Sequence, residues 1–482
     1  MKRIGSLWLW LLMLALPACA QHRLPAEVTR ELTQAGVPRE AVSVLVTPLT
    51  SMPGEADAGP QPHPRLSYQA DRPMHPASVI KLVTTYAALE LLGPDFTWTN
   101  RVYVDGPVVD GVLQGDLVLR GSGDPKLVLE RLDALLREVM ARGVREVRGD
   151  ILLDRGVFEL PERDPGAFDD EPLRPYNAMP DGLLVNFKTL VFAFTPDPAA
   201  GLARVGSEPP IAGVAIPAAV PLAEGPCADW RGRLRADFAD PGRVGFAGDY
   251  PAACGEQRWS VAYVAPGAYA ARVVQAMWRA AGGRLGGQVR EAPTPATARL
   301  WVSAPSLPLA DIVADINKFS NNVMAQQLFL TLSSQERPPG SFAASRERLA
   351  HWWRERFGAR AQPRLENGSG LSREERSSAA ALTALLRRAA AGPQSAAFEQ
   401  SLGLAGVDGT VARMRERQVA PEVLGNARLK TGSLRDVAAV AGYATGRSGR
   451  RYSLVALINH PNASAARPAL DRLVEWVVRD QP

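Results

Sequence analysis

Residues 76–94, PASVIKLVTTYAALELLGP, decide how this chain is read. From Ala77 to Leu92 the stretch is almost wholly apolar, it follows Pro76 and it stops at Gly93 and Pro94, which are the start and stop signals of a helix. A helix that is apolar on every face is a buried one. Ser78 and Lys81 lie at its start in an S-x-x-K pattern, and a lysine in such surroundings is costly unless it has a task. Working outward, Val42 to Leu49 and Arg65 to Ala70 read as two antiparallel strands separated by a Pro/Gly-rich turn region. Ala427 to Thr431, Val437 to Thr445 and Arg451 to Asn459 read as three successive strands, with Gly446 to Gly449 as the last hairpin loop, and an amphipathic helix closes the chain over Ala465 to Arg479. Helical segments are expected near Ile312 to Leu332 and Ser377 to Ala391, and the amphipathic pattern that turns Ile312, Ile316 and Phe319 inward places Ser320 where a helix meets a loop. Between them, residues 104–299 have another texture: short β-like pieces (Asp116 to Leu119, Asp150 to Leu153), dense Gly and Pro, and a stretch from Pro196 to Gly225 with no usable periodicity. That region reads as an insertion into a unit formed by residues 21–103 and 300–482.

The chain has 482 residues, 46% hydrophobic and 22% charged, which excludes a disordered tail or a small scaffold. Its 55 basic and 50 acidic residues are spread along the whole length, so no basic stripe marks a nucleic-acid surface and no nucleic-acid partner is expected. Only six of the basic residues are lysines (Lys2, Lys81, Lys126, Lys188, Lys318, Lys430), leaving 49 arginines. Where positive charge alone is wanted this chain uses Arg, so a retained lysine is a candidate for chemistry that guanidinium, which cannot lose its proton, is unable to do.

Met1, Lys2 and Arg3, the apolar run Ile4 to Leu16, and Pro17-Ala18-Cys19-Ala20 form a signal peptide, residues 1–20. Ala18-Cys19-Ala20 fits an ordinary A-x-A cleavage site, the reading favoured by Pro17; Leu16-Pro17-Ala18-Cys19 would instead lipidate Cys19, and only then would the protein be membrane-anchored. Export to the periplasm or cell envelope is expected. Cys227 and Cys254 are then an even pair in an oxidising compartment, and a disulfide between them is expected over two separate buried thiols.

Three motifs follow in order: Ser78 and Lys81; Ser320-Asn321-Asn322; and Lys430-Thr431-Gly432, followed by Ser433. This set occurs in penicillin-binding proteins and serine β-lactamases. A serine hydroxyl near a helix start has free backbone N–H groups and the positive dipole end to favour an oxyanion. Lys81 on the same face can take its proton if burial or a second cation, such as Lys430, lowers its pKa. Ser320 can relay a proton to a leaving group, and the Asn322 amide can hold a peptide by donor and acceptor together. Gly432 lets a ligand approach a strand, Lys430, Thr431 and Ser433 suit a carboxylate, and the backbone N–H groups of Ser433 and Ser78 would form an oxyanion hole. Each motif alone has an ordinary explanation, respectively a helix cap with an incidental lysine, local capping and an edge strand. Together and in order they are specific. Lys318, two residues before Ser320, is read as surface. The five histidines show no ligand spacing, so no metal or cofactor is expected, and His75 precedes the helix with no acidic residue to orient it as a base.

With these residues in place the chain resembles the exported D-alanyl-D-alanine carboxypeptidase/endopeptidases, the low-molecular-mass class C penicillin-binding proteins. The likeness extends to Pro76-Ala77; Gly121-Ser122-Gly123-Asp124-Pro125; Asn367-Gly368-Ser369-Gly370-Leu371-Ser372; and Asp408-Gly409-Thr410, and to the long interval between Lys81 and Ser320. It implies an α/β (α+β) fold, a serine β-lactamase/transpeptidase-like domain split in sequence with two smaller inserted domains. It also implies acyl transfer on peptidoglycan stem peptides through Ser78, with Lys81 as base, Ser320 assisting the leaving group, Asn322, Lys430, Thr431 and Ser433 holding substrate, and β-lactams as covalent inhibitors. Asn367 stands where the family tends to have Asp, and Ser433 where Thr is common. A β-lactamase or esterase on the same fold, or a non-catalytic wall-binding scaffold, are the competing readings.

Overall fold

The computed structural model describes residues 23–49 and 63–480; the signal peptide and Cys19 lie outside them. Six antiparallel strands form the main sheet, named here β1 (Val42–Pro48), β2 (Leu66–Tyr68), β3 (Gly403–Leu404), β4 (Ala427–Leu434), β5 (Val437–Thr445) and β6 (Arg451–Asn459). Their order across the sheet is β3-β4-β5-β6-β1-β2. The two ends of the chain therefore meet at its centre, where β1 runs beside β6 from Val42 opposite Ile458 to Pro48 opposite Tyr452.

The period-two alternation of side chains explains why β5 and β6 are mainly apolar along both faces. Ala439, Ala441, Tyr443, Val455 and Leu457 enter one core, with the helix Lys81–Leu92 and the helices Leu309–Phe319, Asn322–Ser334 and Ala379–Ala391. Ala438, Val440, Ala444, Leu454, Ala456 and Ile458 enter the other, under the helices Ala26–Gln34 and Arg467–Val478. A sheet covered on both faces has no need of polar alternation.

Two local readings are corrected by the structure. The apolar stretch expected to be helical from Ala77 begins as a 3-10 turn, Ala77–Ile80, with Ala77 in the left-handed region (φ 47°), and becomes an α-helix only at Lys81. The helical pattern near Ile312 to Leu332 is two helices, Leu309–Phe319 and Asn322–Ser334, broken at Ser320 (φ 58°, ψ 33°), and Phe319, expected to face inward with Ile312 and Ile316, is 66% exposed at the end of the first. Asn321 caps the second by accepting a hydrogen bond from the Met324 N–H. Hydrophobic periodicity runs through that break because both helices bury their faces in the same core.

Residues 99–305 build further sheets. One runs Val289–Glu291, Ile151–Asp154, Asp116–Arg120, Thr99–Asp105 and Arg299–Pro305; a second runs Tyr250–Pro251, Ala219–Ala223, Leu202–Glu208, Thr189–Asp197 and Gln257–Ala262. Three strands of the second lie within or overlap the Pro196 to Gly225 stretch that carries no readable period. The strand Leu202–Glu208 buries only Ala203 fully, so its sequence lacks an alternating apolar face. Phe192, Phe194, Trp230, Tyr250, Phe238, Phe246 and Trp259 pack over this sheet, mostly edge to face with Phe194 stacked on Tyr250, and Cys227 is joined to Cys254 beside them. Among the described residues no helix is long and apolar enough to cross a membrane.

A bond closing a loop of 27 residues removes unfolded-chain freedom, so replacing both cysteines by serine is expected to cost about 3 kcal/mol. Calorimetry should show a lower unfolding temperature for the double variant than for the oxidised parent; coincident transitions would contradict the expectation.

Candidate active site

Ser78 lies in the turn before the Lys81–Leu92 helix, and the chain reaches that turn through His75. The His75 backbone N–H donates to Asn459 Oδ1 (2.7 Å), and Asn459 Nδ2 donates back to the His75 carbonyl (2.9 Å). The end of β6 thus pins the Ser78 turn across 384 residues of sequence. The His75 ring accepts from the Ala77 N–H at Nδ1 (3.0 Å) and sits 2.7 Å from the Ser372 carbonyl at Nε2, which fixes the proton on Nε2. Burial pushes its pKa down, so the ring is neutral and both nitrogens are occupied. His75 is a brace for the Ser78 turn, with no free nitrogen to act as a base.

Lys81 is completely buried. Its Nζ donates to Ser78 Oγ (2.9 Å), to Asn322 Oδ1 (2.7 Å) and to the Ser369 carbonyl. Desolvation, then the nearby charge of Lys430, hold its pKa well below the ordinary lysine value. Lys430, on β4, is equally buried; its Nζ donates to Ser320 Oγ (2.8 Å) and to the Thr431 carbonyl (2.8 Å), and desolvation pushes its pKa down to about 7. The left-handed turn at Ser320 is what brings its hydroxyl to Lys430. The Asn322 amide is engaged from both ends, since its Nδ2 donates to the Tyr176 carbonyl (3.1 Å) of the inserted region. The two-ended grip on a peptide expected of Asn322 is therefore taken up from within: its oxygen holds Lys81.

Two glycines set the width of the site. A methyl built on Gly432 would meet the Pro76 carbonyl oxygen at 2.8 Å and the Ser78 nitrogen at 3.1 Å, so β4 can lie against the Ser78 turn only without a side chain there. Gly370 (φ +86°) presses on Ala77 from the other side. Thr431 Oγ1 shares a hydrogen bond with Thr410 Oγ1 (2.8 Å), and Ser433 is exposed. Ser78, Ser320, Asn322 and Ser433 line one cleft of about 480 Å³, together with Arg373, Arg435 and the insert residues Phe168, Asp169 and Tyr176. A second cavity of about 250 Å³ lies against Thr431 and Ser433 but contains neither Ser78 nor Lys81.

All the motif residues read from the sequence are thus drawn to one place. Ser369, Tyr176 and Thr410 also touch the site, and sequence reasoning gave them no role, because two of them act through backbone carbonyls that any residue type supplies. Lys318 is not a solvated surface charge: it pairs with Asp408 at 2.8 Å.

Residues 59–479 match the D-Ala-D-Ala carboxypeptidase 3 (S13) family. The chain is 31% identical over 438 residues to a D-alanyl-D-alanine carboxypeptidase of Actinomadura sp. (strain R39), covering 84% of this chain and 78% of that protein. It is 26% identical over 396 residues to the D-alanyl-D-alanine carboxypeptidase DacB of Haemophilus influenzae, covering 81% and 82%. The crystal structure of penicillin binding protein 4 (dacB) from Haemophilus influenzae superposes with a TM-score of 0.73 at 23% identity, covering 93% of this chain and 99% of that one. The α/β architecture is shared with that structure.

With only six lysines, ¹³C-labelled lysine NMR resolves their titrations. The Lys430 signal should titrate near 7, and Lys430→Met should raise the Lys81 pKa by removing a neighbouring cation. Titration of both lysines near 10.5 would contradict the buried geometry.

Proposed function

This chain belongs to the D-Ala-D-Ala carboxypeptidase 3 (S13) family, and from that premise we propose that it hydrolyses peptidoglycan stem peptides ending in D-Ala-D-Ala through an acyl-enzyme on Ser78. The observation that carries the reading is the 2.9 Å contact between Ser78 Oγ and a fully buried Lys81, with Ser78 on the same cleft as Ser320, whose hydroxyl is bonded to buried Lys430.

Ser78 Oγ attacks the penultimate D-Ala carbonyl carbon and its proton passes to neutral Lys81, whose lowered pKa leaves the amine free to accept it. The backbone N–H groups of Ser78 and Ser433 receive the oxyanion. Protonated Lys430, with the hydroxyls of Thr431 and Ser433, holds the terminal carboxylate. Ser320 Oγ, bonded to Lys430, passes a proton to the departing D-alanine nitrogen as the C–N bond breaks and is reprotonated with the proton Lys81 took from Ser78, which leaves Lys81 neutral again. Water then attacks the ester carbonyl, giving a proton to Lys81, and that proton returns to Ser78 Oγ as the C–O bond breaks. A β-lactam acylates Ser78 by the same attack, but its leaving nitrogen stays tethered. Cross-link endopeptidase activity uses the same acyl-enzyme. The signal peptide and the Cys227–Cys254 bond support work in the periplasm, with residues 104–299 as an insert that walls one side of the cleft.

Incubation with a penicillin followed by peptide mass spectrometry should place one adduct on Ser78, and D-alanine should be released from a pentapeptide ending in D-Ala-D-Ala. Lys81→Ala should slow both by roughly 10²–10⁴-fold, the range for loss of a positioned base. Adducts on another residue would overturn the assignment.

The pH dependence of kcat/KM should be bell-shaped. Activity rises as Lys81 loses its proton and falls as Lys430 loses its own, above about 7 in the free enzyme. Lys430→Arg, which cannot deprotonate, should flatten the alkaline limb whatever the loss in overall rate; an alkaline limb unmoved in that variant would assign it to another group.

A further inference from the structure

Among the described residues, Lys81 bonds to three neutral oxygens and to no carboxylate. The acidic side chain that bears on its charge is Glu375, itself fully buried. One oxygen, Oε1, accepts the backbone N–H groups of Glu366 (3.1 Å), Asn367 (3.1 Å) and Gly368 (2.8 Å). The other, Oε2, is buried with no hydrogen-bond partner among the described residues. The loop of residues 366–370 curls around this carboxylate, with Gly368 and Gly370 in the left-handed region (φ 72° and 86°). Thr84 Oγ1 holds the Gly368 carbonyl (2.7 Å), and Asn367 Oδ1 accepts both the N–H and the hydroxyl of Ser369 (3.0 and 2.7 Å). The result is that the Ser369 carbonyl points at Lys81 Nζ and Gly370 lies against the Ser78 turn.

We propose that Glu375 is a positioning residue for the acyl transfer: its carboxylate folds the 366–370 loop so that the Ser369 carbonyl caps Lys81, and its negative charge governs how readily Lys81 gives up its proton. The inference rests on Lys81 being the base. The other charged groups near Glu375 are committed elsewhere. Glu366 accepts from the Ser372 hydroxyl, Glu374 pairs with Arg364 (2.8 Å), Arg376 donates to the Arg373 and Glu375 carbonyls (2.8 Å each), and His75 is neutral. Burial raises the Glu375 carboxyl above the ordinary range, while the three N–H donors and Lys81 favour its ionised form. Lys81 and Glu375 consequently titrate as a coupled pair. Asn367 carries no charge, so in this chain the loop draws its buried carboxylate from position 375.

The test is Glu375→Gln, which keeps an acceptor for the three N–H groups and removes the charge, together with Asn367→Asp/Glu375→Gln, which returns a carboxylate to the same loop. Both are measured for thermal unfolding and for the pH profile of Ser78 acylation by a labelled penicillin. Without the negative charge Lys81 loses its proton more easily, so the acid limb of the single variant should move to lower pH by about one unit, and the double variant should move it back. A folded single variant with the parental acid limb, or a double variant that leaves the shift in place, overturns the inference. Failure of both variants to fold assigns Glu375 to folding alone and overturns it as well. A parent protein that is not acylated at Ser78 instead defeats the reading of Lys81 as base, a distinct outcome.

Discussion

Two lysines are buried near each other, and among the described residues no carboxylate bonds to either. Taking one ammonium from water into a low-dielectric interior costs on the order of 20 kcal/mol in the idealised limit and still several kcal/mol after relaxation. A protein meets such a cost mainly by letting the group release its proton. The rest of the structure follows from this constraint. Neutral oxygens must surround each Nζ, solvent must be kept out, and the apolar packing around the Lys81–Leu92 helix must offset the polar burden at its first turn. The same desolvation that makes the pair unfavourable for stability holds the Lys81 pKa well below the ordinary lysine value, which is what the proposed role as a base requires.

The main sheet is the frame that holds the two lysines at their distance. Lys81 hangs from a turn pinned by Asn459 at the end of β6, and Lys430 sits on β4, two strands away. Ala438 and Ala439, small residues of β5, face Ser433 and Gly432 across the ladder, so no bulk forces β4 away from the Ser78 turn. Gly432 then decides how close the strand may come. Because β1 and β6 derive from opposite ends of the chain, the site forms only when residues about four hundred positions apart have paired. Such long-range pairing is slow to form and cooperative once formed, which is how a site that must exclude water is made all or none.

Much of this was legible beforehand, and the reason is chemical. Ser78 and Lys81 are close in sequence and must share a helix face, and Lys430 with Gly432 must lie on a strand, so residue type and spacing carry the message. The helix itself is announced by Pro76 and Gly93. What escaped reading acts through the backbone or through distant partners. The Ser369 carbonyl, the Tyr176 carbonyl and the His75 brace depend on where main-chain atoms fall, and Glu375 looks in sequence like one more surface acid among Glu374 and Arg376. The helix end at Ser320 is readable from the amphipathic pattern before it, but the left-handed conformation of a non-glycine residue and the second helix that resumes at Asn322 leave no compositional mark. In the insertion, strands such as Leu202–Glu208 are half solvated and end in turns, so the alternation that marks a strand is absent where it is needed.

The insertion is tied to the site through one helix. Asn322, whose oxygen holds Lys81, takes its orientation from the Tyr176 carbonyl, and Gln327 on the same helix is clamped to the Asp181 backbone by two hydrogen bonds of 2.9 Å. Asp181 is itself fixed by Lys188 (2.7 Å) and by Arg155, in a buried cluster that includes one of the few lysines of the chain. Buried ion clusters of this kind contribute little net stability compared with apolar packing, because desolvation consumes most of the attraction. Their use is registry, since a displaced partner leaves a charge uncompensated. Here that registry is transmitted along the Asn322–Ser334 helix to the amide that faces Lys81. A wall of the cleft and the surroundings of Lys81 are therefore set by the same contacts.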